Sequence, residues 1–283
     1  KNHGKAMKLI HISDIHVNPN PILGFDPVAN LKACLDHVAE FQADADRIVI
    51  TGDLTNLALE TEYRAVQTLL EEELHLKSIL AASPLQGRLS PRLMVGNHDN
   101  REHFASIFEG ARRDENGFIQ WTEETEAGLF IYIDTAKTGV PEGHYCEARQ
   151  AWLTGVLEQA RAAGQPAWLF MHHNPIAVQV ANADVIGLVQ EVEFQAILRQ
   201  YRDTLRHIFF GHCHFTLSGQ VCGIPFSAPR STNHVCWPDF SGIVERMGYG
   251  AFSPNYNVCF LGDAGTVIHS IDFLDEHKVL WDE

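Results

Sequence analysis

Five short hydrophobic runs in this chain each end in Asp, His or Asn, and that recurring pair of features limits the fold more than any other. Leu9-Ile10-His11-Ile12 runs into Ser13-Asp14-Ile15-His16, Arg47-Ile48-Val49-Ile50 into Thr51-Gly52-Asp53, and Leu93-Met94-Val95 into Gly96-Asn97-His98-Asp99. Ala167-Trp168-Leu169-Phe170 delivers Met171-His172-His173, and Ile208-Phe209-Phe210 delivers Gly211-His212-Cys213-His214. Short apolar runs of this kind read as buried strands, and α/β proteins place their chemistry where such strands leave the core. Helical patterns lie between them: Val28–Phe41, a helix opened by Thr61 with Val66, Leu69, Leu70 and Leu74 on its apolar face, Glu147–Ala162, and Glu193–Tyr201. Strand-helix-strand units imply parallel strands in a layered α/β fold.

The residues gathered at the five strand ends are hard or borderline metal ligands, and none of the five relies on Cys. A metal cluster is the expectation. The ordered set Asp14-x-His16, Gly52-Asp53, Gly96-Asn97-His98-Asp99, His172 and Gly211-His212-x-His214 resembles the calcineurin-like metallophosphoesterase superfamily over residues 8–228. In size and motif style it is similar to the class III cyclic nucleotide phosphodiesterases and the related glycerophosphodiesterases.

That resemblance implies a two-sheet β-sandwich flanked by helices, a four-layer αββα arrangement closed by C-terminal strands. Asn257–Leu261 and Thr266–Phe273 around Asp263-Ala264-Gly265 give a hairpin signal for that end of the chain. The resemblance also implies two divalent or trivalent metal ions. Asp14, His16 and His214 would hold one, Asn97, His172 and His212 the other, and Asp53 would bridge them. Mixed N and O donors favour Mn, Fe, Co or Zn over Mg. His98 would face the substrate and act on the developing charge or the leaving alkoxide. The implied reaction is hydrolysis of a small-molecule phosphodiester, such as a 3′,5′-cyclic nucleotide, by hydroxide formed on the metals. A glycerophosphodiesterase or a phosphomonoesterase on the same scaffold is the alternative, with a non-catalytic protein-binding scaffold behind both.

Neighbours of these motifs carry weaker expectations. Asp99 is read either as orienting His98 or as capping a helix that begins near Arg101. Successive strand-end side chains point apart, so His173 is read as packing behind the ligands. Asn233 and His234 are candidate substrate contacts, while Cys213 is read as a packed thiol and His11 as a satisfied core histidine. Glu71-Glu72-Glu73 is expected to be a solvated helix face, because three consecutive helical residues point in different directions. No Lys or Arg sits at a motif except Arg101, expected to be solvated, which favours a diester over a dianionic monoester.

Composition sets the remaining bounds. Of 283 residues, 45% are hydrophobic and 20% charged, enough to build a large core in one unit. The net charge of -15 comes with scattered Lys and Arg and no basic stripe, which argues against long nucleic acid as substrate. Bound cations reverse the local field, so a small anion remains compatible. Six cysteines without Cys-x-x-Cys spacing fit reduced thiols, and no apolar run approaches the ~18 residues of a membrane span, so cytoplasm is the expected location. Residues 1–6 read as a tag remnant or a tail before Met7, and 7–283 as a single domain. Within it, the aromatic- and Gly-rich Asn233–Ser253 is a candidate lid or homo-oligomer contact.

Overall fold

The computed structural model describes residues 6–80, 91–250 and 252–274. In chain order its elements are β1 (Met7–Ile12), α1 (Pro27–Phe41), β2 (Arg47–Ile50), α2 (Glu60–Leu80), β3 (Arg92–Leu93), α3 (Arg101–Ile107), β4 (Trp121–Thr125) and β5 (Gly128–Tyr132). There follow α4 (Glu147–Ala162), β6 (Ala167–Phe170), α5 (Ala181–Asp184), α6 (Glu191–Gln200), β7 (Leu205–Phe209), β8 (Leu217–Val221) and β9 (Ile224–Ala228). The short β10 (Cys236–Trp237) and β11 (Gly248–Tyr249) precede the final β12 (Asn255–Gly262) and β13 (Gly265–Asp272).

One sheet runs β13-β12-β1-β2-β3, the other β4-β5-β6-β7-β9-β8. The strands that lead to the five motifs, β1, β2 and β3 in the first sheet and β6 and β7 in the second, pair in parallel. All five motifs therefore emerge from carboxyl ends of parallel strands. β12 and β13 form the expected antiparallel hairpin, with Gly262 opposite Gly265.

Alternation of side chains explains the layers. In β1, Ile10 and Ile12 pack outward on Leu31, Leu35 and Val38 of α1 and on α2, while Met7 and Leu9 face the other sheet. In the second sheet Ile131, Leu169 and Ile208 pack on α4 and α6, whereas Phe130, Tyr132, Phe170 and Phe209 face inward. Phe170 stacks on Phe209 at 4.9 Å and on Tyr132 at 5.0 Å, so the inter-sheet layer is largely aromatic. The result is the four-layer helix-sheet-sheet-helix sandwich expected from the sequence.

Three expectations are corrected. Apolar Phe118–Trp121 reads from the sequence as a strand joined by the polar segment 122–128 to the next, whereas the strand before β5 is Trp121–Thr125: β4 is an edge strand, and its polar Glu123 pairs with Arg47 at 2.9 Å and Arg92 at 2.5 Å on the opposite sheet. α2 starts at Glu60, so Thr61 is not its cap, and Glu62 accepts the N–H groups of Leu57 and Leu59 instead. Glu73 is buried against Lys32 of α1 rather than lying on a solvated face. The loop expected at Ser83–Pro91 and the tail at 1–5 lie outside the described residues, Pro91 apart.

Two histidines sit inside the sandwich. His11 bonds Thr51 Oγ1 through Nε2 at 2.9 Å, and His207 bonds Ser227 Oγ at 2.9 Å. Burial pushes His11 down to about 3, with His207 adding to the effect, and pushes His207 down to about 4. Both folded values lie below the unfolded ~6.5, so the stabilisation is complete above about 6.5 and is lost as pH falls toward 4. The slope is about 1.4 kcal/mol per pH unit for each fully titrating histidine. Urea midpoints measured from pH 7 to 4.5 should fall with acid, and less steeply in His207→Asn; equal slopes would contradict this.

Candidate functional site

The five strand ends converge at one edge of the sandwich. Asp14, His16, Asp53 and His214 bring one donor atom each to within 4.8 Å of one another, and all four are buried. Asn97 Oδ1 lies 3.0 Å from His172 Nε2 and 2.9 Å from His212 Nδ1. Asp53 joins the two groups: its Oδ2 is 3.5 Å from His16 Nε2 and its Oδ1 is 3.4 Å from His172 Nε2. Each group draws on both sheets.

The hydrogen bonds fix which ring nitrogens carry protons. His172 Nδ1 is 2.7 Å from Thr51 O, His212 Nε2 is 3.0 Å from Ile186 O, and His214 Nδ1 is 2.8 Å from His234 O. A carbonyl only accepts, so these nitrogens donate, and the opposite nitrogen of each ring presents a lone pair. Those lone pairs face other acceptors: His172 Nε2 and His212 Nδ1 both meet Asn97 Oδ1, and His214 Nε2 lies 3.3 Å from Asp14 Oδ1 and 3.0 Å from His16 Nε2. Acceptors that converge in this way are arranged for a cation, whether a proton or a metal ion, and the mixed N and O donors suit borderline metals.

Electrostatics agree. Burial opposes charge on Asp14 and Asp53, but the adjacent histidines hold both carboxyls below the usual range. Burial likewise opposes protonation of His172, yet the Asp53 carboxylate raises it to about 9, and Asp14 raises His214. His212, where burial and His172 dominate, falls to about 3. Both groups are centres of negative potential that a proton or a metal ion would fill.

The local backbone is shaped for this convergence. Five of the nine non-glycine residues with positive φ among the described residues are Asp14, His16, Asp53, His212 and His214, with φ of 44 to 66°. A left-handed non-glycine costs on the order of 1–3 kcal/mol, and such outliers gather where a site demands them. Gly96 and Gly211 permit the close approach. A Cβ on Gly96 would collide with Asp53 Oδ1 and lie 2.7 Å from His172 Cε1, and one on Gly211 would collide with Ser13 Oγ and lie 2.6 Å from Asp14 Oδ2. Gly96→Ala should therefore displace Asp53 and His172 by a large fraction of an ångström and lower turnover about 10²-fold. Metal titration and turnover check this, and wild-type values for both would contradict it.

The remaining sequence expectations divide. His98 is exposed at the rim, its Nδ1 donating to Asn56 O at 2.8 Å, so that carbonyl orients it and Asp99 does not. Asn100 caps α3 in place of Asp99, accepting from Glu102 and His103. Asp99 is buried and joins two motif loops: it accepts from Gly96 N at 2.9 Å, Leu54 N at 3.1 Å and the Tyr63 hydroxyl at 2.9 Å. Burial and Asp53 push its carboxyl up to about 6. His173 packs behind the site, bonded to Thr135 Oγ1 at 2.7 Å with its ring 4.5 Å from that of His212. Cys213 is a buried thiol. Arg101 is not solvated but forks onto buried Asp134 at 2.5 and 2.8 Å.

A cavity of about 300 Å³ opens over these groups, with His16, Asp53, Asn97, His98, His212, His214 and His234 on its wall. Asn233 is buried beside His234, which lies 4.4 Å ring to ring from His214 and 4.9 Å from His16. The segment Asn233–Ser253 contributes Trp237, Arg246, Met247 and Tyr249 to the cavity, and Cys236 N–H donates to His214 O at 3.1 Å. Sequence reading missed Arg246 and Tyr249, which lie in an aperiodic stretch, and missed the orienting carbonyls of Thr51, Ile186 and His234, which leave no mark in a sequence.

Comparison with known proteins agrees with the geometry. A probable cyclic nucleotide phosphodiesterase of Rhodopseudomonas palustris is 34% identical over 275 residues, 95% of this chain and 93% of that one. A probable glycerophosphodiester phosphodiesterase of Arcobacter nitrofigilis is 26% identical over 213 residues, 74% of this chain and 72% of that one. The crystal structure of a dimetal phosphatase from Danio rerio superposes with a TM-score of 0.71 at 11% identity, covering 96% of this chain and 98% of that one, a likeness of fold. The family model for calcineurin-like phosphoesterases matches residues 7–215, a span that contains both donor groups, and the chain belongs to that family of metal-dependent hydrolases.

Proposed function

We propose that this chain hydrolyses small phosphodiesters of the 3′,5′-cyclic nucleotide type with a pair of metal ions. The observation that carries the reading is Asp53 shared between two converging acceptor groups beneath His98 and a cavity of small-molecule size. In this reading Asp14, His16 and His214 hold one ion, Asn97, His172 and His212 the other, and Asp53 both. Ions held by these residues would supply positive charge to neutralise phosphoryl oxygens and to lower the pKa of a water toward ~7.

The protein's own part is electrostatic and positional. Asp14 and Asp53 alone would repel a phosphodiester anion, so binding requires that their charge be offset. His98, anchored through Nδ1, turns Nε2 toward the cavity; as imidazolium it delivers that proton to the departing oxygen as the P–O bond breaks. Arg246 is the one Lys or Arg lining the cavity among the described residues, and it is exposed and only 3.6 Å from Asp239. A single screened cation suits a monoanionic diester better than a dianionic monoester.

The names of the Rhodopseudomonas and Arcobacter relatives support diester chemistry and divide on the alcohol released. Turnover of 3′,5′-cyclic AMP, glycerophosphoethanolamine, and bis- and mono-p-nitrophenyl phosphate by metal-stripped protein given Mn²⁺ tests this. Cyclic AMP should be cleaved faster than the glycerol diester, and both diesters faster than the monoester. A glycerol diester preference selects the glycerophosphodiesterase alternative, and monoester preference overturns the proposal.

A further inference from the structure

The histidines and carboxylates occupy one part of the cavity wall, and a second part is apolar and takes no share in their chemistry. Val180, Ile186, Trp237, Met247 and Tyr249 line that part. Trp237 stands out among them, because an indole on the wall of a small-molecule cavity is still 49% exposed. An aromatic face left open beside a reaction site suits a planar ligand group, which would stack on it.

The indole is held in place. β10 pairs with β11 so that Trp237 lies opposite Gly248, where a Cβ would come within 3.0 Å of that of Trp237. Phe252 stacks on Trp237 with 5.4 Å between ring centroids and 9° between planes. Arg230 lies over the Phe252 ring at 5.8 Å and is ion-paired with Asp272 of β13. Phe252 is off the cavity wall, so it backs the indole and leaves the other face to the cavity. Cys236, the residue before Trp237, donates its N–H to His214 O at 3.1 Å, which ties this platform to the polar part of the site.

Polar side chains on the same part of the wall are already engaged. Asn182 Nδ2 donates to Val244 O at 2.9 Å, and Arg246 Nε is 3.6 Å from Asp239. A ligand group that rests here is therefore recognised by its face rather than by its edge. A glycerol diester has no such face, whereas every nucleobase has one.

We propose that the open face of Trp237, backed by Phe252, is the platform for the nucleobase of the substrate, and that this stacking selects a cyclic nucleotide over a glycerol diester. The inference rests on the phosphodiesterase reading and deepens it. Trp237 acts on specificity and not on the chemical step: the base lies far from the breaking P–O bond and stacks equally well before and during its cleavage. Such uniform binding lowers KM and leaves kcat unchanged.

Manganese-loaded wild type, Trp237→Leu and Trp237→Phe are compared on 3′,5′-cyclic AMP and on glycerophosphoethanolamine, which carries no ring. Trp237→Leu should raise KM for cyclic AMP by about 5- to 100-fold at nearly constant kcat, the range of one base–aromatic stack, and leave glycerophosphoethanolamine kinetics unchanged. Trp237→Phe, which keeps an aromatic face, should restore most of that loss. Equal losses on the two substrates would overturn the proposal, because they would report a displaced His214 rather than a lost platform. Cyclic AMP kinetics unaffected by Trp237→Leu would also overturn it, and a wild-type oligomer split by the same substitution on sedimentation would then make the indole a subunit contact. A wild type inert on both diesters would instead sink the phosphodiesterase reading itself.

Discussion

Asp53→Asn is expected to keep the fold and lower kcat on the order of 10³-fold or more, since a shared carboxylate contributes several kcal/mol to charge stabilisation at about 1.4 kcal/mol per tenfold. The substitution keeps side-chain volume and the acceptor for His98 N–H, now at 2.8 Å from Oδ1. What it removes is the negative charge that faces His16 on one side and His172 on the other. Metal stoichiometry should drop below two per chain, read by elemental analysis, while the far-ultraviolet circular dichroism stays unchanged. Full metal content with full turnover would show that Asp53 is not the shared group.

His98→Ala should act on the chemical step instead. General-acid groups contribute typically ~10²–10⁴-fold, and the loss should appear in kcat with KM and metal content nearly unchanged. Its size should depend on the leaving group. Ribose alkoxide needs a proton to depart, whereas p-nitrophenolate does not, so cyclic AMP should lose more than bis-p-nitrophenyl phosphate. Equal losses on the two substrates would assign His98 to binding of the phosphoryl group rather than to proton delivery.

Much of this site was legible because its residues are delivered by the simplest local pattern, an apolar run followed by a polar ligand. β1 with Asp14 and His16, and β7 with His212 and His214, needed no tertiary information to locate. The errors fall where tertiary contacts override local pattern. Thr122 to Thr125 looks like a loop because it is polar, yet Glu123 is held by Arg47 and Arg92 from the other sheet, a partnership no window of sequence contains. Glu73 and Arg101 were read as solvated for the same reason, and each has an ion-pair partner elsewhere in the chain, Lys32 and Asp134. Asp99 sits next to His98 in sequence but turns away from it, because five backbone and hydroxyl donors, from Leu54, Thr55, Tyr63 and Gly96, lie on its other side.

That both donor groups span the two sheets has a consequence for the unfolded chain. His16 and His214 meet across a sequence separation of 198, and Asn97 and His212 across 115. An ion held at either place ties remote parts of the polypeptide together, as a long-range cross-link does, and withdraws the loop entropy that unfolding would release. Metal content should therefore govern how long the chain survives heat and proteases as well as how fast it turns over, through binding to the native state alone.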